Sequence, residues 1–276
     1  MSEKTAQFVR DCESIWISDI HLGHKESKAE LLLSFLKSVQ PKNLFLLGDI
    51  VDLWEFKSGM RWPHSHTQLL KQILKMAKRG CKIHYIPGNH DGTLRKFVGY
   101  RYRNIKIQKE FIYTSLSGER MLLLHGDRFD NLVRLNRFYG WIGDISYDFL
   151  LFLNRWYNKA RKKFGYPYWS LSSYLKENVK SARIAIDSFI HAATMEAKRR
   201  DCTSVVCGHI HHPEYQIANG VHYYNDGDWI ENNSALIEDR DGKIELVYFR
   251  RSIENPANQF ETSSANEPSI PERKSA

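Results

Sequence analysis

The chain has 276 residues, a formal net charge of +8 at pH 7 and four cysteines. A chain of this length buries a core large enough to fold without disulfides, and its widely spaced cysteines exclude a secreted disulfide scaffold and favour a reducing compartment. The polar N-terminus lacks the apolar core of a signal peptide. No segment offers the roughly 18 uncharged apolar residues of a membrane span, so we expect a cytoplasmic protein.

The first half of the sequence alternates between apolar, β-rich runs and segments with helical periodicity. Strands are predicted at 14–18, 43–48 and 81–87, and helices at 29–39 and 66–80. This β-α-β-α-β order predicts an α/β fold with parallel strands, right-handed crossovers and a ligand site at the carboxyl ends of the strands.

The second half contains a helical interruption between strands. Strands are predicted at 105–107, 110–114, 120–125, 203–208, 214–218, 221–224, 233–238 and 243–249. Residues 131–200 have a helical sequence pattern and are rich in aromatic residues. They are predicted to be an insertion into a single domain that spans residues 1–251. The segment 252–276 is rich in Ser, Pro, Glu and Asn, and this composition predicts a disordered C-terminal tail.

The positive charge is concentrated in residues 128–200, which hold fourteen Lys and Arg against six Asp and Glu. A basic patch of this kind favours a polyanionic partner, such as a phosphate compound, a nucleic acid or an anionic bilayer. A solvated helix surface has the same composition, so charge alone leaves both interpretations open.

Five polar blocks stand directly after predicted strands. They are Asp19-Ile20-His21, Gly48-Asp49-Ile50-Val51-Asp52, Gly88-Asn89-His90-Asp91, His125-Gly126-Asp127 and Gly208-His209-Ile210-His211. One such block is typical of a turn or a cap, but five at one sheet edge concentrate charge that a cation neutralises. The carboxylate, imidazole and amide ligands suit Mn²⁺, Fe²⁺ or Zn²⁺. Two ions need a shared ligand, and Asp49 at the central strand end is the expected bridge.

In this order the five blocks resemble the calcineurin-like metallophosphoesterases, over about residues 14–250. The resemblance implies two mixed β-sheets flanked by helices, an α+β sandwich. It also implies two divalent metal ions per chain, with Mn²⁺ expected. One ion would be held by Asp19, His21, Asp49 and His211, and the other by Asp49, Asn89, His125 and His209.

The same resemblance assigns roles around the metals. His90 would touch the phosphate and protonate the leaving group. Asp52, Asp91 and Asp127 are expected to orient the ligand histidines, and for Asp52 a local turn or helix cap is an equal alternative. Paired cations in such a site lower the pKa of a bridging water and stabilise charge on the attacking and departing oxygens.

A finer resemblance involves HGDRFD, the segment 141–158, GYPYWSLSSYLKENVKSA, CGHIHHPE and YYNDGDW. These are similar to the UDP-2,3-diacylglucosamine pyrophosphatases, in which a helical cap, here 131–200, covers the metals and holds acyl chains. Such enzymes release UMP and a lipid phosphate on the cytoplasmic face of the inner membrane. The implied substrate-binding residues are Asn89, His90, Asp130, Ser173, Asn178, Lys180 and His209. Well-studied members often have Arg at the position of His90.

The cap sequence leaves two interpretations open. An apolar stretch from Trp141 to Tyr157 is followed by basic residues through Lys163, which is typical of a helix on an anionic membrane or of packing against a core. The predicted partners are therefore an amphipathic phosphorylated substrate and a peripheral membrane surface. Nucleic acid is not expected, and the sequence predicts no oligomeric state. The alternative functions are a soluble nucleotide or nucleic-acid phosphodiesterase and a non-enzymatic metal-bound scaffold.

Overall fold

The computed structural model of the chain describes residues 10–55, 61–130, 161, 180–250 and 260–263. The chain divides into two compact units, one formed by Met1–Asp127 together with Thr194–Ala276 and the other by Arg128–Ala193. All of the strands that precede the five polar blocks belong to the first unit. The predicted insertion, 131–200, has different bounds from the second unit. Most of it lies outside the described residues, so the cap remains a prediction.

The described part of the chain contains three α-helices and two sheets. The helices are α1 (Ala29–Lys37), α2 (His64–Lys78) and α3 (Lys180–Arg199). The strands are β1 (Arg10–Ile17), β2 (Val39–Leu46), β3 (Lys82–Tyr85), β4 (Arg101–Tyr102), β5 (Ile105–Ile107), β6 (Phe111–Thr114), β7 (Arg120–Leu123), β8 (Ser204–Cys207), β9 (Glu214–Ala218), β10 (Val221–Asn225), β11 (Ser234–Glu238), β12 (Ile244–Phe249) and β13 (Phe260–Ser263). Among the described helices, none combines the length and the apolar composition of a membrane-spanning segment.

Both sheets are mixed. The larger has the order β13-β12-β11-β1-β2-β3-β5-β4, and β1, β2, β3 and β5 run parallel within it. The smaller has the order β6-β7-β8-β10-β9, with β7, β8 and β10 parallel. Parallel strands direct all of their carboxyl ends to one edge, so each sheet gathers the polar residues that follow its strands.

The two sheets pack face to face around an aromatic core. Trp16 and Phe45 of the larger sheet stack with ring centroids 5.4 Å apart, and Leu123, Val206 and other residues of the smaller sheet belong to the same buried cluster. The opposite face of the larger sheet packs on α1 and α2. On α1 the buried residues are spaced three and four apart, at Ala29, Leu32, Phe35 and Leu36, which is the apolar stripe of a core-facing helix.

Strand β2 begins earlier than predicted, at Val39 rather than 43. Its first residues pair only with β1, and pairing with β3 starts at Asn43. Pro41 therefore lies where β2 has a neighbour on one side alone, which is where a residue without an N–H is tolerated in a strand.

The prediction of disorder for 252–276 is wrong at one place. Phe260–Ser263 form β13, an antiparallel neighbour of β12. The Phe260 ring lies 6.0 Å from Phe35 and 5.5 Å from Phe249, so a single aromatic side chain anchors an otherwise polar segment to the core. The other residues of 252–276 lie outside the described ranges.

Candidate metal centre

Each predicted ligand block follows a parallel strand at the same edge of the sandwich. Asp19 and His21 come after β1, Asp49 after β2, and Asn89 after β3. In the smaller sheet, His125 follows β7, while His209 and His211 follow β8. The structure brings together all seven predicted metal ligands, although they are spread over nearly two hundred positions of sequence.

The backbone bends sharply where these side chains are presented. Positive φ angles occur at Asp19 (49°), His21 (49°), Asp49 (53°), His209 (70°) and His211 (49°). Side-chain-bearing residues rarely adopt this region, and it is most often maintained where the surrounding structure holds it for function. These turns direct the side chains of the proposed ligands, which come from successive loops, toward a common centre.

Asp19, His21 and His211 form the first group of donors, with ligand atoms all within 4.8 Å of one another. Asp19 Oδ1 lies 3.1 Å from Nε2 of His211 and 3.8 Å from Nε2 of His21. The other oxygen, Oδ2, accepts the backbone N–H of His209 at 2.8 Å. One carboxylate oxygen is therefore held by the protein, and the other faces the imidazoles.

Asp49 joins the two halves of the centre. Its Oδ1 accepts the backbone N–H of His90 at 2.8 Å. Its Oδ2 lies 3.9 Å from His21 Nε2 and 3.3 Å from His125 Nε2. Asp49, His125 and His209 form one group of donors within 4.8 Å, and Asp49 is also grouped with His21 and His90. A single oxygen of Asp49 thus faces both sets of ligands.

Hydrogen bonds fix which nitrogen of His125 faces the centre. Nδ1 donates to the carbonyl oxygen of Leu47 at 2.7 Å, so Nε2 is the atom available as a ligand. Asn89 Oδ1 lies 3.2 Å from that Nε2. The Leu47 carbonyl was not predicted from the sequence, because backbone acceptors leave no residue-type signal.

Asp52 contacts two imidazoles at once. Its Oδ2 accepts hydrogen bonds from Nδ1 of His21 and Nδ1 of His90, both at 3.1 Å. Its Oδ1 accepts the backbone N–H groups of Trp54 at 3.1 Å and Glu55 at 3.3 Å. Both alternatives considered for Asp52 therefore hold, since one oxygen orients histidines and the other closes a turn.

The expectation that Asp91 and Asp127 orient the ligand histidines is wrong, because within the described ranges neither of them hydrogen-bonds a histidine. Asp91 is buried and accepts the backbone N–H groups of Ile50 at 2.9 Å and Gly88 at 2.6 Å, along with the Tyr85 hydroxyl. It ties together the loops that follow β2 and β3. Asp127 instead pairs with Arg95, with a 2.7 Å separation between Oδ2 and Nη2.

The buried carboxylates and imidazoles shift one another's pKa values. Burial acts to raise the pKa of Asp49, but His125 and His21 hold it below its ordinary value. Burial acts to lower the pKa of His21, but the nearby carboxylate of Asp19 and the hydrogen bond to Asp52 raise it to about 10. The neighbouring imidazoles therefore favour the ionised form of the carboxylates, and the carboxylates favour protonation of the imidazoles.

The carboxylate oxygens and imidazole nitrogens gathered at this centre are suitable ligands for divalent metal ions. Among the described residues, Asp19 Oδ1 and His21 Nε2 are buried without a hydrogen-bond partner, which is costly unless a cation satisfies them. A Cβ atom added to Gly88 would collide with Asp49 Oδ1 and lie 2.7 Å from His125 Nε2. Only glycine lets the backbone approach these donors so closely.

A buried serine and aspartate behind Asp19 were not predicted. Ser18 Oγ lies 2.5 Å from Asp19 Oδ2 and 2.7 Å from Asp226 Oδ1. A hydroxyl has one proton, so it can donate to only one of them. Burial raises the pKa of Asp226 well above its ordinary value, which favours a protonated Asp226 that donates to Ser18 and leaves Ser18 to donate to Asp19.

Trp54 was also missed, and it lies against His90. The two rings stack with centroids 3.9 Å apart and an interplanar angle of 29°. The side chain of His90 is 23% exposed, compared with 6% for His21 and 1% for His125, so it is the more accessible imidazole. Trp54 lies six residues beyond the predicted strand 43–48, and no sequence pattern linked it to the site.

Several predicted substrate-binding residues are not placed at the centre. Asp130 is exposed and belongs to the second unit. Ser173 and Asn178 lie outside the described residues. Lys180 is described only as the first residue of α3, and its side chain is not among those described.

The family model for calcineurin-like phosphoesterases matches residues 15–213. The chain belongs to this family. The predicted resemblance and the predicted fold class are therefore confirmed, and the chain is a metal-dependent phosphoesterase. Membership implies divalent metal ions, for which the clustered aspartates and histidines are the candidate ligands.

Curated relatives extend the match over most of the chain. The UDP-2,3-diacylglucosamine hydrolase of Aeromonas hydrophila is 25% identical over 232 residues, which cover 81% of this chain and 93% of the relative. Its counterpart in Shewanella piezotolerans is 23% identical over 244 residues, which cover 85% of this chain and 97% of the relative. Among solved structures, the phosphoesterase Yfce of E. coli has 15% identity and a TM-score of 0.43, covering 92% of this chain and 99% of that one.

Proposed function

We propose that this phosphoesterase hydrolyses the phosphoanhydride of UDP-2,3-diacylglucosamine or a similar lipid-linked nucleotide sugar, releasing UMP and a lipid phosphate. The observation that carries the proposal is the end-to-end likeness to hydrolases named for that substrate, which reaches 81–85% of this chain. The proposed acyl-binding cap is the segment 131–200, which lies within the basic stretch 128–200.

The proposed metal ligands are those that the fold gathers. Asp19, His21, Asp49 and His211 would hold one ion, and Asp49, Asn89, His125 and His209 the other, with Mn²⁺ as the proposed metal. When bound, such a pair activates water and stabilises charge on phosphoryl oxygens. Asp49 Oδ2 is the proposed shared ligand, because it faces both groups while Oδ1 is held by the His90 N–H.

His90 is the proposed acid. Its Nδ1 donates to Asp52, which leaves Nε2 as the atom that carries the mobile proton. Breaking the phosphorus–oxygen bond places charge on the departing oxygen, and a proton delivered from Nε2 neutralises it. The stacked Trp54 ring and the Asp52 hydrogen bond restrict the imidazole from two sides, so its orientation is set before substrate arrives.

The remaining proposals concern binding and location. Asn89, His90, Asp130, Ser173, Asn178, Lys180 and His209 are proposed to contact the substrate. A substrate with two acyl chains resides in a bilayer, so we place the enzyme at the cytoplasmic face of the inner membrane, held there by the basic and aromatic cap.

A substrate panel tests this function. The Mn²⁺-loaded chain is assayed on UDP-2,3-diacylglucosamine, its deacylated form, simple nucleoside diphosphates and a bis-aryl phosphate, with the His90→Ala variant as the inactive control. We expect UMP and lipid phosphate, with the acylated compound preferred. Equal turnover of the deacylated compound, or better turnover of a soluble diester, would instead identify a soluble nucleotide phosphodiesterase.

A further inference from the structure

An exposed segment rich in aromatic and basic residues, 95–103, follows the polar block at 88–91. Every residue of this segment is exposed to solvent. Of the twelve large apolar side chains that are exposed in the described ranges, four belong to it. They are Phe97 (47% exposed), Val98 (42%), Tyr100 (67%) and Tyr102 (66%). Exposed apolar side chains that are concentrated in one place are typical of an interaction site.

Hydrogen bonds hold the backbone of this segment against the larger sheet. The N–H of Gly99 donates to the carbonyl oxygen of Ile107, and the N–H of Ile107 donates to that of Tyr100, both at 3.0 Å. The rings of Phe97 and Tyr100 lie edge to face, with their centroids 5.7 Å apart. The aromatic side chains are therefore displayed by a hydrogen-bonded turn.

The charge of this region is entirely positive. Residues 92–109 contain six Lys and Arg and no Asp or Glu. In the described part of the chain, Lys96, Arg101 and Arg103 form no ion pair with a carboxylate. The Arg103 guanidinium lies 5.8 Å from the centroid of the Tyr102 ring. Cations interleaved with exposed aromatic rings are complementary to an anionic surface that also accepts apolar groups.

An anionic bilayer provides both of the properties that this segment requires. Tyrosine rings reside preferentially where the lipid headgroups meet the acyl chains, and each Lys or Arg near an anionic bilayer is attracted to its headgroups. A single-stranded nucleic acid also binds basic and aromatic side chains, but it offers no apolar layer for the aliphatic side chain of Val98. The composition of the segment therefore favours a bilayer.

The segment is tied to the loops of the metal centre. Nη2 of Arg95 donates to Oδ2 of Asp127 at 2.7 Å, and the N–H of Leu94 donates to the carbonyl oxygen of Asp91 at 2.9 Å. Each of these aspartates belongs to a block that supplies proposed metal ligands. A bilayer that binds the segment therefore lies beside the loops that carry those ligands.

We infer that residues 95–103 dock the enzyme on an anionic bilayer, with the aromatic side chains in the headgroup layer and the basic side chains on anionic headgroups. The segment belongs to the first unit and lies outside the sequence of the proposed cap. The inference rests on the proposed function and deepens it, because a substrate with two acyl chains has to be taken from the bilayer in which it resides.

Cosedimentation of the purified full chain with lipid vesicles tests the inference. One set of vesicles contains phosphatidylcholine alone, and the other also contains phosphatidylglycerol. We expect the wild type to bind the anionic vesicles at least about tenfold more tightly, and the Phe97→Ser/Tyr100→Ser variant to lose at least about tenfold of that affinity. The Leu74→Ser/Ile217→Ser variant removes side chains of similar exposure, 51% and 61%, and should bind as the wild type does.

A second pair of variants tests the contribution of charge. Lys96→Gln/Arg101→Gln should reduce the affinity for anionic vesicles about tenfold and leave the affinity for neutral vesicles unchanged. Its matched control is Lys71→Gln/Lys75→Gln, which removes the same charge from exposed positions on α2.

Three outcomes would overturn the inference. The wild type could fail to bind anionic vesicles, the variants of the segment could bind as the wild type does, or the control variants could lose as much affinity as those of the segment. A wild type that ignores vesicles but binds a single-stranded oligonucleotide, with that binding lost in the variants of the segment, would assign this surface to nucleic acid instead.

Activity on two forms of the lipid substrate separates this inference from the proposed function. Detergent-dispersed UDP-2,3-diacylglucosamine needs no docking surface, so the variants of the segment should hydrolyse it as the wild type does and should lose activity only on the compound embedded in anionic vesicles. If the wild type hydrolyses neither form, the proposed function is wrong. The cosedimentation result still stands in that case, because its vesicles contain no substrate.

Discussion

His90 Nδ1 lies 3.1 Å from Oδ2 of Asp52, and His21 Nδ1 lies at the same distance from the same oxygen. One carboxylate therefore orients both a proposed metal ligand and the proposed acid. In both rings Nδ1 is used as a donor, and Nε2 is turned toward the centre. Metal sites commonly depend on such outer carboxylates nearly as much as on the ligands themselves.

Replacing Asp52 with Ala should lower metal affinity and turnover together, by about 10–100-fold, because both imidazoles lose their orienting acceptor. Mn²⁺ titration and steady-state kinetics measure the two effects. Asp127→Ala is the matched control, since that carboxylate pairs with Arg95 and, in the described part of the chain, hydrogen-bonds no histidine. If Asp52→Ala behaved like the control, the orienting role would be wrong.

Replacing His90 with Ala should reduce kcat by about 100–10,000-fold, which is the range that a positioned proton donor contributes. Metal content should remain at the wild-type level, because the residue is proposed to deliver a proton and not to hold either ion. Elemental analysis of the purified variant distinguishes the two roles. Turnover equal to that of the wild type would remove His90 from the mechanism.

Metal binding should release protons. The neighbouring carboxylates raise the pKa of His21 to about 10, so its ring is protonated at neutral pH in the metal-free chain. A ligand imidazole must be neutral, so the apparent Mn²⁺ affinity should rise from pH 6 to pH 8, by about tenfold per pH unit for each proton displaced. Titrations in buffers with different ionisation enthalpies count the protons. An affinity that does not change with pH would contradict this prediction.

The Asp226→Asn variant should have a larger free energy of unfolding than the wild type at pH 7. Burial raises the pKa of Asp226 in the folded chain, so folding takes up a proton there once the pH exceeds the ordinary value of about 3.9. The contribution of this group to stability therefore falls as pH rises between the two pKa values. Asn needs no proton, and its amide can donate to Ser18 Oγ.

Urea unfolding at pH 5 and pH 7 measures this difference. The gain in the Asn variant should be larger at pH 7 than at pH 5. A variant that is less stable than the wild type at pH 7 would show that Asp226 is ionised in the folded chain and that the proton order through Ser18 to Asp19 is reversed.

The clustering of the proposed ligands was predictable because its signal is local. Each of Asp19, Asp49, His125 and His209 follows an apolar run of strand length, and parallel strands deliver such residues to one edge. The fold class followed from the same alternation. The strand bounds were less accurate, as at Val39, where pairing with β1 extends β2 past a proline.

The partners of those ligands were not predictable, because they are tertiary. Nothing near Asp226 in the sequence shows that it meets Ser18, and nothing near Leu47 shows that its carbonyl fixes His125. Asp91 and Asp127 stand beside ligand residues, as an orienting carboxylate would, yet they bind loop backbone and Arg95. Phe260 was overlooked because one aromatic residue in a polar segment has no periodicity.

Elemental analysis of the metal-reconstituted wild type beside its Asp49→Ala variant tests the central claim most directly. Oδ2 of Asp49 faces both donor groups, so the wild type should hold two divalent ions per chain, and the variant should lose both along with its phosphoesterase activity. A wild type that holds at most one ion, or an Asp49→Ala chain that still holds two, would contradict a dinuclear centre bridged by this carboxylate.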